Sequence, residues 1–237
     1  DVIASGPTVP DPSTFADCLR VVERYGLRWK LPKAVWERLE KGLQGLVPET
    51  PKADDPAFAR TRNVLIASVR QALDAAADEA KKLGFAPRIL TTSMTGEARD
   101  RAAELAEEAR RVQTALRPGD APVCLLAGGE TTVTIRGRGK GGRNQEMALA
   151  ATLALADDCG IDLVCVGTDG TDGPTDAAGG YAFSGDLARL RALGLMPKDR
   201  LDDNDSYPLL QKAGTLLRTG PTRTNVMDMV IVLVRPK

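Results

Sequence analysis

The chain has 237 residues, enough for one large domain or two small ones, with 43% hydrophobic and 27% charged residues, an ordinary globular composition. Lys+Arg and Asp+Glu stand at 32 each, so no bulk attraction to nucleic acid or to an anionic membrane surface is expected. Histidine is absent, which excludes Ser-His-Asp catalysis, Cys-His catalysis and His-ligated metals within these residues.

In chain order, Asp1-Val2-Ile3-Ala4-Ser5-Gly6-Pro7-Thr8 reads as the end of a strand entering a glycine turn, with no initiator Met. Residues 13–26 and 33–46 read as helices broken by Gly26 and Pro32, and residues 50–56 as a linker. Residues 1–55 are therefore expected to be the tail of an incomplete amino-terminal α/β domain plus linker, and 56–237 a second α/β domain. A short strand is expected at 63–67. Val69, Ala72, Leu73, Ala76, Ala80 and Leu83 then follow at helical spacing, and Gly84 supplies the stop.

A strand at 88–91 leads to a helix with Ala98, Ala102, Leu105, Ala109, Val112 and Leu116 on one face. Strands are expected at 123–127 and 131–135, around the turn Gly128-Gly129-Glu130. A helix at 143–156 and a strand at 162–166 follow. Further helices are expected at 185–193 and 206–213, with a last strand at 227–234. Repeated strand–helix alternation predicts a mainly parallel sheet flanked by helices. No apolar run approaches the roughly 18 residues of a membrane span. Cys18, Cys124, Cys159 and Cys165 show no CxxC spacing, and Cys124 and Cys165 lie in strand-like runs, so reduced core thiols of a cytoplasmic protein are expected.

The most informative stretch is Gly167-Thr168-Asp169-Gly170-Thr171-Asp172-Gly173-Pro174-Thr175-Asp176, three aspartates fed by an apolar strand. Such a loop carries carboxylates to the carboxyl edge of a sheet, where open α/β folds place ligands. A charged surface turn is the alternative. Gly128-Gly129-Glu130-Thr131-Thr132 offers a carboxylate and two hydroxyls, or is a plain hairpin turn. Arg136-Gly137-Arg138-Gly139-Lys140-Gly141-Gly142-Arg143-Asn144-Gln145-Glu146 sets glycines and cations before a helix, an arrangement suited to an anion. Arg143 is its best-placed cation because it stands on the first helical turn.

Gly137, Gly139 and Gly142 also spell GxGxxG, with Asp157, Asp158 and Asp162 near the distance of a ribose-binding acid. Arg138 and Lys140 crowd a turn where a pyrophosphate needs small residues, which weighs against a dinucleotide. Thr219-Gly220-Pro221-Thr222-Arg223-Thr224-Asn225-Val226-Met227-Asp228 is a polar turn before the last strand, either hairpin loop or binding loop. Together the loops supply cations and amides for an anion and carboxylates for Mg²⁺ or a hydroxyl, the combination that phosphoryl transfer needs.

At these residues the sequence resembles the class II glycerate 2-kinase family, whose carboxyl-terminal half is known as the MOFRL domain and whose members are often labelled hydroxypyruvate reductase. The matching segments are residues 1–8, 128–132, 141–146, 167–176, 220–222 and 224–226, in order across the chain. The resemblance implies two α/β domains with a cleft between them, and transfer of the γ-phosphoryl group of ATP to the 2-hydroxyl of D-glycerate with Mg²⁺. It assigns catalytic roles to Arg143, on the carboxylate or the migrating phosphoryl group, and to Asp169, on the acceptor hydroxyl.

Glu130 and Asp172 are the Mg²⁺ candidates. Gly128, Gly129, Glu130, Thr131, Lys140, Gly142, Asn144, Thr168, Thr171 and Asn225 are expected around substrate and nucleotide. A homodimer is compatible with this reading. Family members are longer and carry a functional lysine in their amino-terminal half that nothing here matches, so the 237-residue chain alone is expected to be inactive. Two rival readings stay open: an NAD(P)H-dependent hydroxypyruvate reductase, and a non-catalytic domain binding a nucleotide or sugar acid.

Overall fold

A computed structural model describes residues 8–156 and 159–237, so the strand-and-turn expected at residues 1–7 and the acids Asp157 and Asp158 lie outside the described residues. The chain divides into two compact units, one ending at Ile66 and one from Ala67 to Lys237.

In the first unit, helices α1 (Phe15–Arg24) and α2 (Lys33–Leu43) form a hairpin. A capping box starts α1: the Thr14 hydroxyl accepts from the Asp17 amide while the Asp17 carboxylate accepts from Thr14. The Phe15 ring lies where a Cβ on Gly42 would stand, so the two helices meet at that glycine. Residues 63–67 form no strand, contrary to expectation; Val64, Leu65 and Ile66 are exposed and enter no ladder. A β-favouring run without a partner strand leaves its backbone unpaired.

The second unit is a six-stranded sheet in the order β1-β2-β6-β3-β4-β5. Its strands are β1 (Ala86–Met94), β2 (Val123–Gly129), β3 (Ile161–Gly167), β4 (Gly179–Ala182), β5 (Leu216–Leu217) and β6 (Asp228–Val234). The α/β class with flanking helices is as expected. The sheet itself is mixed: β1 and β2 are parallel, and every other neighbouring pair is antiparallel. The cause is the last strand. β6 inserts between β2 and β3, which point the same way, and separates them.

Alternation on β6 divides the core in two. Val230, Val232 and Val234 join Val123, Leu125, Ile161 and Leu163 beneath helices α4 (Ala98–Ala115) and α5 (Arg143–Leu155). Ile231 and Leu233 face the other way, toward α3 (Val69–Lys82), which buries Val69, Leu73 and Ala80 as the sequence spacing predicts and Ala77 besides, while Leu83, expected on the same face, caps the helix and is exposed. Helix α5 is buried from Asn144 to Thr152: its apolar run Met147–Ala151 packs against α4 and the sheet, and the buried polar residues of its first turn, Asn144, Gln145 and Glu146, find hydrogen-bond partners within the protein.

Three further helices, α6 (Asp186–Ala192), α7 (Pro197–Asp202) and α8 (Ser206–Ala213), follow β4. The strand expected at 131–135 reduces to a single bridge between Glu97 and Thr132. Its polar groups go instead to the turn before α4: the Glu97 carboxylate accepts from the Thr134 amide and the Thr134 and Thr132 hydroxyls. Those bonds hold Glu97 below the usual carboxylate range, the Thr134 hydroxyl contributing most.

Candidate active site

Strands β2 and β3 end at Gly129 and Gly167, and β6 begins at Asp228; these three residues are register partners across the sheet. The loops at 130–142, 168–178 and 218–227 therefore all meet the sheet at one edge. A cavity of about 570 Å³ opens there, lined by Glu130, Thr131, Gly142, Arg143, Asp172 and Asn204 among others.

Arg143 is the first residue of α5 and reaches back to this edge. Its Nε donates to Asp228 Oδ2 at 2.5 Å and its Nη2 to Asp228 Oδ1 at 3.1 Å. Nη1 meets Glu130 Oε1 at 2.9 Å. The Asp228 side chain is 2% exposed and that of Glu130 42%, so the first contact is interior and the second borders solvent. The bond to Asp228 is the main influence holding the guanidinium proton more tightly than usual. Asp228 faces α5 because it continues the Val230-Val232-Val234 face of β6.

Asp172 is buried, and its carboxylate is turned into α5. Oδ1 accepts from the Asn144 amide at 3.1 Å and from Asn144 Nδ2 at 3.3 Å. Oδ2 accepts from the Gln145 amide at 2.8 Å and from Gln145 Nε2 at 2.9 Å. The anion-binding amides expected at this helix start are thus occupied by the protein's own carboxylate. Burial raises Asp172 above the usual range despite these donors, and the nearby Asp228 adds to the rise. Four N–H groups on two oxygens leave little of Asp172 for the Mg²⁺ expected there. Among the described residues no cluster of three or more Cys, Asp or Glu is arranged to hold a metal.

The glycine-rich loop is also spent internally. The amides of Arg136 and Gly137 donate to Asn204 Oδ1, that of Arg138 to Asp203 Oδ1, and that of Lys140 to Asp205 Oδ1. A Cβ on Gly139 would fall 2.5 Å from Asp205 Cα, and one on Gly142 2.5 Å from the Asp172 carbonyl carbon. These glycines permit close packing on 203–205 and on Asp172, which removes the need for a pyrophosphate to explain the GxGxxG spelling. Asp162, the described one of the three ribose candidates, is the second residue of β3, at the far edge, and bonds Ser184 and Arg235.

Asp169 lies on the same edge and the same face as Asp228, one strand over. Its Oδ1 would stand 3.3 Å from a Cβ on Gly167, the register partner of Asp228. That oxygen accepts from the Thr171 amide at 2.9 Å, and Oδ2 from Asn225 Nδ2 at 3.3 Å. Thr168 ties the loop down: its hydroxyl donates to the Met227 carbonyl and accepts from the Val226 amide.

The structure therefore groups Glu130, Thr131, Gly142 and Arg143 around the cavity, with Thr168, Asp169, Thr171 and Asn225 in the adjoining loop pair. Asp169 is not among the cavity-lining residues. Gly128 and Gly129 end β2, and Asn144 is buried beneath Asp172. Lys140 stands apart, its Nζ 4.6 Å from the centre of the Tyr207 ring. Sequence reading gave no role to Asp228, nor to Glu146, whose buried carboxylate pairs with Arg99 at 2.8 Å and accepts from Asn204 Nδ2 at 2.9 Å. An acid opening an otherwise apolar strand was the available signal for Asp228.

Comparison with known proteins gives the chain's relatives. The MOFRL family model matches residues 123–228, and a domain of unknown function (DUF4147) matches residues 1–40. The chain is 46% identical to the Glycerate 2-kinase of Pyrococcus horikoshii, a match covering 100% of this chain and 53% of that protein. It is 36% identical to the Glycerate kinase of Macaca fascicularis, covering 100% of this chain and 69% of that one. The crystal structure of a glycerate kinase from Thermotoga maritima matches with a TM-score of 0.79 at 43% identity, over 99% of this chain and 54% of that one. The chain thus spans about half the length of the Pyrococcus and Thermotoga proteins.

Proposed function

The chain belongs to the glycerate kinase family that carries the MOFRL domain, and from that premise we propose that it forms part of an ATP-dependent D-glycerate 2-kinase. The reaction moves the γ-phosphoryl group of ATP to the 2-hydroxyl of D-glycerate, yielding 2-phosphoglycerate and ADP. The observation that carries it is Arg143, braced from below by Asp228 with one edge of its guanidinium turned to the cavity.

A planar guanidinium in that position holds two oxygens of a carboxylate or phosphoryl group at once. Asp169, held by Thr171 and Asn225, orients the acceptor hydroxyl and takes its proton as the new O–P bond forms. Thr131 and Gly142, which line the cavity, contribute on the nucleotide side, and Lys140, held over the Tyr207 ring, is left out of this reading. Mg²⁺, where bound, neutralises charge on the phosphates; Glu130 fits it better than Asp172, because one Glu130 oxygen is engaged by Arg143 while both Asp172 oxygens are held by α5. A cytoplasmic setting belongs to the same proposal. The 237-residue chain by itself does not turn over glycerate on this view, because it offers no counterpart of the family's functional lysine.

The test is glycerate-dependent ADP formation by a polypeptide of the relatives' length that contains these residues. Arg143→Ala and Asp169→Asn are each expected to lower kcat/KM at least 100-fold, the scale of losing a charge-stabilising or acid–base group (on the order of 10²–10⁴). Near-normal turnover in either variant removes the role given to that residue.

A further inference from the structure

We infer that Asp228 is the positioning residue of this site, fixing the Arg143 guanidinium in the orientation that phosphoryl transfer requires; the assignment rests on the kinase role proposed for Arg143. Three features of the structure lead there.

The first is geometry. Asp228 engages Nε and Nη2 together, a two-bond contact that fixes both the position and the plane of the guanidinium. The third nitrogen, Nη1, is left toward the cavity, where a half-exposed Glu130 meets it. The interior partner is fixed and the outer one exchangeable, so an incoming anion displaces Glu130 and leaves Asp228 in place.

The second is space. The two register neighbours of Asp228 on this face are Gly129 and Gly167, neither of which carries a side chain. A Cβ on Gly129 would enter the Met94 backbone and one on Gly167 would meet the Thr171 carbonyl and Asp169 Oδ1, so neither neighbour sends a side chain of its own toward the Asp228 carboxylate, and the cation that reaches it is Arg143. Arg143 is tethered at its Cα by the helix and at its far end by the sheet.

The third is backbone. Met227, immediately before Asp228, has φ of +70°, a conformation unfavourable for a residue with a Cβ. It is held there by the Asn225 side chain on its amide and by the Thr168 amide and hydroxyl on its carbonyl. The loop that carries Asp169 thereby sets the direction in which Asp228 enters the sheet.

The experiment has two arms. In a kinase-length polypeptide, kcat and KM are measured for Asp228→Asn, Arg143→Lys and the double variant. Positioning predicts a fall of roughly 10²-fold in kcat/KM for Asp228→Asn, and a double variant no worse than Arg143→Lys within about threefold. Losses that multiply would show that Asp228 acts independently of Arg143 and overturn the inference. Asp228→Glu keeps the charge but moves it by one methylene, and is expected to lower kcat about tenfold or more; unchanged kcat counts against positioning.

In the 237-residue chain, ¹⁵N-resolved NMR follows the Arg143 Nε–H, expected to exchange slowly in the wild type and rapidly in Asp228→Asn while the sheet amides keep their shifts. A protected Nε–H in that variant would sink the positioning role alone, whereas full turnover by Arg143→Lys would sink the kinase role on which it rests.

Discussion

Replacing Asp172 by alanine removes the acceptor for four N–H groups at the start of α5, and the cost can be worked from their geometry. The Asn144 and Gln145 amides lose what serves as their helix cap, worth about 1 kcal/mol. Gln145 Nε2 loses a bond to a charged oxygen, about 1.5–3 kcal/mol, but keeps the Asp172 carbonyl and the Thr175 hydroxyl. Removing a carboxylate that burial and Asp228 both disfavour returns part of this. The net expectation is about 2 kcal/mol of destabilisation, or roughly 4–8 °C in Tm for a chain of this size.

Urea denaturation followed by circular dichroism measures it, and hydrogen exchange at the Asn144 and Gln145 amides localises it. The pH dependence adds a sign. Because the folded-state pKa of Asp172 is raised, its stabilising contribution is complete below the unfolded carboxylate value, about 3.9, and declines as pH rises through the folded value. The stability gap between wild type and Asp172→Ala should therefore be wider at pH 4 than at pH 7. A loss below about 0.5 kcal/mol, or a gap that widens with pH, would refute the capping and burial reasoning.

Gly139→Ala should cost about 1–3 kcal/mol, measured by thermal melting, because its Cβ would enter the backbone of Asp203 and Asp205. Unchanged stability would return this glycine to the status of a free loop residue. Glu146→Gln removes the nearer and more buried charged partner of Arg99, leaving it only the more exposed Asp202 at 3.7 Å, and should cost about 2 kcal/mol, less than the roughly 3–5 kcal/mol of stranding a buried charge. Thiol titration of the folded chain should show Cys18 and Cys159 reacting quickly and Cys124 and Cys165 slowly, since the latter pair is buried and burial lifts Cys124 to about 11. Four equally fast thiols would contradict the core described here.

Much of this was legible in the sequence where one periodicity spoke alone. Helices α3, α4, α5 and α8 follow from apolar spacing, and β3 and β6 from β-branched runs. β4 was invisible because Gly179 and Gly180 carry no β preference; they are there so that the strand can pass close to the Cys165 carbonyl and to Leu210. The mixed sheet was equally hidden. Local alternation predicts parallel neighbours, and only long-range pairing reveals that the final strand enters the middle.

At the site, residue types pointed correctly to an edge where loops converge, but not to how each polar group is used. The aspartate loop reads as three equivalent carboxylates. In the fold, Asp169 lies beside Asn225, Asp172 serves α5, and Asp176 pairs with Arg218 and Tyr207. Asp228 read only as the end of the polar turn at 219–228, because its partner, Arg143, is 85 residues away.

The central claim concerns chemistry at the edge shared by Arg143, Asp228 and Asp169, and ³¹P NMR of the reaction product tests it most directly. A kinase-length polypeptide containing this chain, given ATP, Mg²⁺ and D-glycerate, should accumulate 2-phosphoglycerate and ADP, and Arg143→Ala should abolish both signals. Absence of any phosphoglycerate, together with NADH consumption on adding hydroxypyruvate, would contradict it.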